Sequence, residues 1–290
     1  MHYSGAVYRP PSEAHSLIVQ CTLGCSHNKC AFCIMYKEKN FSINPIEQVL
    51  GDLTEARTYY PRIERIFLAD GDALILPMDY LLTVLDFIRD RFPECERVSA
   101  YASTKALMRK SDDELKALRE HGLQMVYVGL ETGLEPLLAK YDKGVSVEEI
   151  IEHSLRAKAA GMTLSVTAIN GMGGKEQSEE HAVATAEALS RIKADYVAML
   201  TLRVYSGTPL HDWIERGELT MLTPQELALE NRLILQHIDS DGSVFRSNHA
   251  SNYLPLGGTF NDDIPGMIET IQIARKTGRY RKFREEGDYL

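Results

Sequence analysis

Four of the five cysteines in this chain of 290 residues, Cys21, Cys25, Cys30 and Cys33, crowd into one short segment, while Cys95 stands alone. Cys25, Cys30 and Cys33 have the spacing C-x4-C-x2-C in the run Cys25-Ser26-His27-Asn28-Lys29-Cys30-Ala31-Phe32-Cys33. Thiolates two residues apart can grip one metal centre, and three in one loop suit soft metal chemistry, either zinc or an iron–sulfur cluster. Zinc would want a fourth donor, for which His27 and Cys21 stand in or beside the same loop. A secreted disulfide scaffold would instead spread its cysteines through a short chain. No basic region followed by an apolar one opens Met1-His2-Tyr3-Ser4-Gly5, so the clustering points to metal and the expected location is the cytoplasm.

Such a loop needs rigid elements to hang from. Short apolar runs that read as buried strands recur at 17–23, 65–69, 97–101, 125–130, 163–169, 196–202 and, with a weaker pattern, 243–246. Pro45 opens a helix where its missing N–H costs nothing, and Ile46, Val49, Leu50 and Leu53 follow at helical spacing. Ser146-Val147-Glu148-Glu149 and Thr223-Pro224-Gln225-Glu226 read as capping boxes, the first ahead of a helix that Gly161 stops. Further helices are expected at 78–91, 111–121, 178–193 and 263–276. Repeated strand–helix alternation implies parallel strands joined by right-handed crossovers, in an open doubly wound sheet or a full or partial barrel. The loop after the first strand holds cysteines rather than the glycine-rich turn of a dinucleotide fold, which disfavours the open sheet. In a barrel, the carboxyl end of a strand is where chemistry sits. A four-iron cluster held there by three cysteines would leave one iron open to a substrate.

Composition narrows the function class. An apolar content of 44% suits a folded α/β chain, and no apolar run approaches the roughly 18–20 residues of a membrane span. A net charge of −9 argues against a broad nucleic-acid surface. No linker divides the chain, so one domain over 1–290 is expected.

On these residues the chain resembles the radical S-adenosylmethionine (radical SAM) superfamily, over about residues 16–205. Its hallmark is three cysteines in the loop after the first strand, with an aromatic residue, here Phe32, before the last. The commonest spacing there is C-x3-C-x2-C, one residue shorter than in this chain. The resemblance implies a partial (β/α)6 TIM-like barrel, with a core at about 16–210 and a C-terminal extension at about 211–290. It implies Cys25, Cys30 and Cys33 as ligands of a [4Fe–4S] cluster, with S-adenosylmethionine on the fourth iron. Cys21 then reads as a small buried residue at the end of the first strand. Asp70-Gly71-Asp72 stands where the family's Gly-Gly-Glu stretch meets the methionine amino group, and either Asp70 or Asp72 fits that task. Gly129-Leu130-Glu131-Thr132-Gly133 is similar to the Gly-x-Glu-Ser-Gly segment of the coproporphyrinogen-oxidase-like and elongator-type branch, giving Glu131 a contact with S-adenosylmethionine. The segment 169–174 is similar to the region near the adenine, which brings in Asn170 together with Ser165 and Thr167 on the preceding strand. Leu202 opens a stretch whose backbone would touch adenine, and Phe32 would shield the cluster or pack near that ring.

The implied chemistry is one-electron cleavage of S-adenosylmethionine to a 5′-deoxyadenosyl radical that abstracts hydrogen, fed by a reductant such as flavodoxin or ferredoxin. Arg203, Tyr205, Arg246 and His249 are the candidate catalytic residues facing the substrate, since 245–253 is dense in hydrogen-bonding groups. A small polar or anionic substrate is expected ahead of RNA, and no membrane. The basic run Arg275, Lys276, Arg279, Arg281, Lys282 and Arg284 reads as a solvated helix end or as a contact with RNA or an acidic partner. The competing reading is an iron–sulfur or zinc protein in electron transfer or scaffolding, which binds metal but does not turn over S-adenosylmethionine.

Overall fold

The apolar runs at 65–69 and 97–101 form strands at those residues, because side chains on both faces are covered. In a computed structural model, which describes residues 1–282, the chain groups into two compact units. One comprises residues 1–28, 33–128 and 152–164; the other comprises 29–32, 129–151 and the described residues from 165 onward. Arg284 of the basic run lies outside the described residues.

The first unit holds β1 (Leu17–Gln20), β2 (Thr22–Leu23), β3 (Ser42–Ile43), α1 (Ile46–Tyr59), β4 (Arg65–Ala69), α2 (Met78–Arg91), β5 (Arg97–Tyr101), α3 (Thr104–Met108), α4 (Asp112–Glu120) and most of β6 (Leu123–Glu131). β1, β4, β5 and β6 pair in parallel, with Val19 opposite Leu68, Phe67 opposite Ser99 and Ala100 opposite Val126. Ile66, Phe67, Leu68 and Ala69 are all fully buried, the continuous apolar run that a parallel strand covered on both faces requires. Phe67 meets Tyr101 and Tyr127 edge-on, ring centroids 5.1 and 6.0 Å apart, in a cluster with Ile18 and Met125. Beside this cluster sits Glu13, fully buried on a short 3-10 helix (Pro11–Glu13). Its carboxylate accepts hydrogen bonds from the Tyr127 and Ser16 hydroxyls and from Arg97 Nη2 at 2.9 Å. The strand expected at 17–23 breaks at Cys21. The Cys21 N–H donates to Ala69 O while its own carbonyl accepts from Asn44 N–H, so Thr22–Leu23 turns away to pair antiparallel with Ser42–Ile43.

The second unit holds α5 (Glu135–Lys140), the start of α6 (Val147–Ala159), nearly all of β7 (Thr163–Asn170), then α7 (Ser178–Ile192), β8 (Tyr196–Thr201), α8 (Pro209–Glu215), α9 (Pro224–His237), β9 (Val244–Ser247), β10 (Leu256–Thr259) and α10 (Ile264–Thr277). β7 and β8 are parallel from Ser165 opposite Tyr196 to Asn170 opposite Thr201; β8 and β9 are parallel, and β10 returns antiparallel on β9. Thr223 and Glu226 form the expected capping box on α9, and Ser146 and Glu149 exchange the same pair of bonds at α6. The strand order of the eight-stranded sheet, β1-β4-β5-β6-β7-β8-β9-β10, has two ends. β10 carries no sequence signal because Gly257 and Gly258 give it no side chains to pack. α3, α5 and α8 are each too short to show a helical period. Among the described residues no helix is long and apolar enough to cross a membrane.

Glu13→Ala leaves Tyr127 and Arg97 facing an emptied site. It is expected to cost about 2 kcal/mol, less than a fully buried pair because Arg97 is partly exposed. A lower urea midpoint at unchanged m value would report it.

Candidate functional site

In the first unit β4 leads into Asp70-Gly71-Asp72, and both carboxylates are fully buried. Asp70 Oδ2 accepts hydrogen bonds from Gly24 N–H at 3.1 Å, the Gln20 amide at 3.3 Å and the Lys39 ammonium at 2.8 Å, whereas Oδ1 is buried without a partner. Asp72 commits both oxygens. Oδ1 accepts from Ser103 N–H at 3.0 Å, and Oδ2 accepts from the Ser103 hydroxyl at 2.8 Å and from the Ser26 hydroxyl. Burial pushes the Asp72 carboxyl up from the usual range, against the opposing pull of the Ser26 and Ser103 bonds. One buried oxygen of Asp70 therefore stays uncommitted, as does the nearby Tyr36 hydroxyl, while Asp72 ties the cysteine loop to the segment after β5. Gly71 donates to Gly24 O at 3.1 Å, and a Cβ there would come within 2.6 Å of the Tyr36 ring and 3.0 Å of Cys25 Cβ. Only glycine lets the loop lie this close.

Cys25, Cys30 and Cys33 are half-buried and in no disulfide. Cys21 is different: full burial pushes its thiol up to about 12, so it stays protonated and serves as packing. His27 Nδ1 meets Lys105 Nζ at 3.1 Å. Among the described residues no three His, Cys, Asp or Glu side chains are gathered as a metal-holding group. The donor chemistry still suits a thiolate-bound cluster and a cationic amino acid: three thiols outside disulfides in one loop, and an uncommitted buried carboxylate oxygen at Asp70.

In the second unit Phe32 packs edge-on to Tyr141, centroids 5.8 Å apart, against a core of Ala31, Tyr141, Ile169, Met172, Leu202 and Leu210. Ala31 is clasped on both sides, donating to Tyr141 O at 2.9 Å and accepting from Leu210 N–H at 3.2 Å. Glu131 ends β6 in the left-handed region at φ 64°, and its Oε1 accepts from Lys143 Nζ at 2.6 Å. Ser165 and Thr167 share one face of β7 with Ile169, and the pleat turns the Asn170 side chain to the other. Asn170 thus reaches the shared face only through its backbone, and its buried amide has no partner at either atom. Leu202 is a core side chain whose N–H donates to Asn170 O at 2.9 Å.

Two residues absent from the sequence reading organise these strand ends. His181 on α7 and Glu230 on α9 are both buried. Glu230 Oε1 accepts Gly171 N–H at 2.6 Å, and Oε2 accepts the Ser178 hydroxyl at 2.5 Å. His181 Nε2 donates to Ile169 O at 3.1 Å, so Nδ1 accepts from the Thr132 hydroxyl at 2.7 Å. Burial lowers the imidazole to about 4, keeping it neutral although Glu230 Oε1 lies 3.8 Å away, and raises Glu230 to about 7. The available signal was a polar residue on an apolar helix face: His181 with Leu189 and Ile192, and Glu230 between Leu227 and Ile234.

The substrate-facing candidates separate. His249 is half-buried, its Nδ1 accepting from Ser251 N–H at 3.1 Å, and burial followed by the nearby Arg203 guanidinium lowers its pKa. Tyr205 is exposed. Arg246 lies along the β9–β10 ribbon, donating to Phe245 O at 2.7 Å. Ser251 and Asn252 are occupied by the end of β8: Ser251 Oγ accepts from Thr201 N–H at 3.2 Å, and the Asn252 amide donates to Met199 O at 2.8 Å.

A family model of the radical SAM superfamily matches residues 19–189. The heme chaperone HemW of Mycobacterium tuberculosis is 27% identical over 212 residues, which are 71% of this chain and 52% of that protein. The chain thus spans about half the length of the curated relatives it matches. Methylornithine synthase (PylB) superposes with a TM-score of 0.56 at 15% identity, over 92% of this chain and 83% of its own. Coproporphyrinogen III oxidase (HemN) of Escherichia coli does so with a TM-score of 0.56 at 16% identity, over 76% and 52%. The shared fold is α/β of the partial TIM-like kind, and the likeness to HemW and HemN fits the coproporphyrinogen-oxidase-like branch.

The stability that Glu230 contributes is fully present below its usual 4.5 and is lost as pH rises through about 7. Glu230→Gln keeps an acceptor for Gly171 and a partner for Ser178 without the charge. It is expected to melt above the wild type at pH 8, by on the order of 2 kcal/mol, and alongside it at pH 5. Scanning calorimetry at the two pH values checks this.

Proposed function

The chain belongs to the radical SAM superfamily, and on that footing we propose that it is a radical SAM enzyme acting on a small anionic substrate in the cytoplasm. The observation that carries this reading is the C-x4-C-x2-C triad inside the matched segment. A [4Fe–4S] cluster and S-adenosylmethionine are the superfamily's cofactors, and together they supply one-electron cleavage of the C5′–S bond and a 5′-deoxyadenosyl radical that abstracts hydrogen. Cys25, Cys30 and Cys33 would hold the cluster as thiolates, while Cys21, fully buried just past β1, would stay outside it as packing.

Asp70 accepts the methionine ammonium through Oδ1, with Lys39 and Gly24 fixing the other oxygen; Gly71 keeps the backbone low beneath the ligand. Glu131, steadied by Lys143, accepts from the ribose or the amino group. Ser165, Thr167, the backbone of Asn170 and the Leu202 carbonyl line the nucleoside side, and Phe32 excludes water with Tyr141 behind it. Arg203 supplies a cation and His249 a neutral imidazole at an edge that suits a carboxylate or phosphate, with Tyr205 exposed and Arg246 on the ribbon as further candidate contacts. Electrons come from a flavodoxin- or ferredoxin-type reductant.

The HemW relatives support a second reading, in which the chain holds heme without radical turnover.

Anaerobic reconstitution with iron and sulfide, followed by S-adenosylmethionine and dithionite, is expected to yield 5′-deoxyadenosine. Cys33→Ala is expected to lose both cluster and product, and Asp70→Asn to keep the cluster while binding S-adenosylmethionine about tenfold more weakly. A cluster-loaded chain that makes no deoxyadenosine yet develops a heme absorption band on titration with hemin would overturn the enzyme reading in favour of the second.

A further inference from the structure

We propose that His181 and Glu230 are positioning residues that hold the turns after β6 and β7 in the geometry S-adenosylmethionine meets, an inference resting on the cofactor reading above. The turn after β7 contains Gly171, Gly173 and Gly174, two of them at positive φ. Such a turn has little side-chain packing with which to fix itself, so its shape must be imposed from outside. Two helices impose it. α7 supplies the imidazole that takes Ile169 O, and α9 supplies the carboxylate that takes Gly171 N–H, so the peptide groups on both sides of Asn170 are pinned.

The turn after β6 hangs from the same imidazole. Thr132 Oγ1 donates to His181 Nδ1 and itself accepts from Leu134 N–H at 3.0 Å; the Thr185 hydroxyl, also on Nδ1 at 3.3 Å, accepts from Gly133 N–H at 3.0 Å. Gly133 must be glycine here, since a Cβ would lie 2.1 Å from Ala184 O. One neutral imidazole therefore sets Glu131-Thr132-Gly133 and 169–171 with respect to each other.

Packing alone does not account for this arrangement. An apolar pair of similar volume would fill the space between α7 and α9 at no desolvation cost. The polar groups are instead aimed at the backbone of the two turns. Around Glu230 the titratable groups are His181 on α7 and the Tyr141 phenol; one helical turn earlier on α9 the Glu226 carboxylate is paired with Lys175, and α10 presents apolar Met267, Ile271 and Ala274. Among the described residues no cation pairs with the carboxylate, and the two bonds from Gly171 and Ser178 hold it.

The test uses the full reconstituted chain and two readouts: the dissociation constant of S-adenosylmethionine, followed through the spectrum of the reduced cluster, and amide hydrogen exchange of 169–178 without S-adenosylmethionine. Glu230→Ala is expected to weaken binding about tenfold and speed exchange, because the buried Gly171 N–H and the half-buried Ser178 hydroxyl lose their acceptor. Glu230→Gln is expected to stay within about twofold of wild type in both. Asn231→Ala, whose lost amide bonds only Leu227 O in the same helix, is the control that lowers stability without moving affinity. If Glu230→Ala does not fold, Thr185→Val, which keeps its volume, takes its place with a loss of about threefold. Unchanged affinity in Glu230→Ala or Thr185→Val, with wild type binding normally, overturns the positioning role alone. A cluster-loaded wild type that binds no S-adenosylmethionine overturns the cofactor reading and this inference with it.

Discussion

A carboxylate taken fully out of water must be met by donors, and in the first unit that requirement at Asp70 organises everything near the cysteines. One oxygen gathers the end of β1 through Gln20, the start of the cysteine loop through Gly24, and the segment returning from it through Lys39. The loop cannot drift from β4 without stripping a buried charge of its partners, which costs more than any single contact there provides. Gly71 completes the constraint by letting the backbone after β4 lie against Cys25. Asp72 reinforces it from the far side through Ser26 and Ser103.

The second unit meets the same demand without a cation among the described residues. Its strand-end turns carry glycine for close approach and so have little intrinsic preference for one shape. They are held by hydrogen bonds to an imidazole that burial keeps uncharged and to a carboxyl group whose charge burial disfavours. Neither group forms an ion pair with a cation, and the cost of burying them is offset by backbone donors and acceptors that would otherwise be unmet.

Both devices act at strand ends, where backbone donors and acceptors leaving the ladder must find other partners. The fold itself is shared with structural neighbours at 15–16% identity. In the segments after β8 and β9, Ser251 and Asn252 serve the fold, and the Arg203 guanidinium lies near His249.

The alternation of strands and helices, the capping boxes at Ser146 and Thr223, and the thiol triad were all legible in the residues, because each is a local pattern with a local physical cause. So were the acidic and glycine motifs at successive strand ends. Short helices and β10 were not, since too few residues repeat for a period to show. The different partners of Asp70 and Asp72 were likewise hidden: both are aspartates beside the same glycine, and only the fold brings Lys39 to one and Ser26 and Ser103 to the other. The pleat of β7 sets the Asn170 side chain on the opposite face from Ser165 and Thr167, whose alternation with Val166 and Ala168 was legible. Residue types and spacing set the chemistry available, three soft ligands and carboxylates at strand ends. Which of those groups are engaged was set by folding, because hydrogen-bond partners such as Lys39, Lys143, His181 and Glu230 come from segments that no local pattern connects.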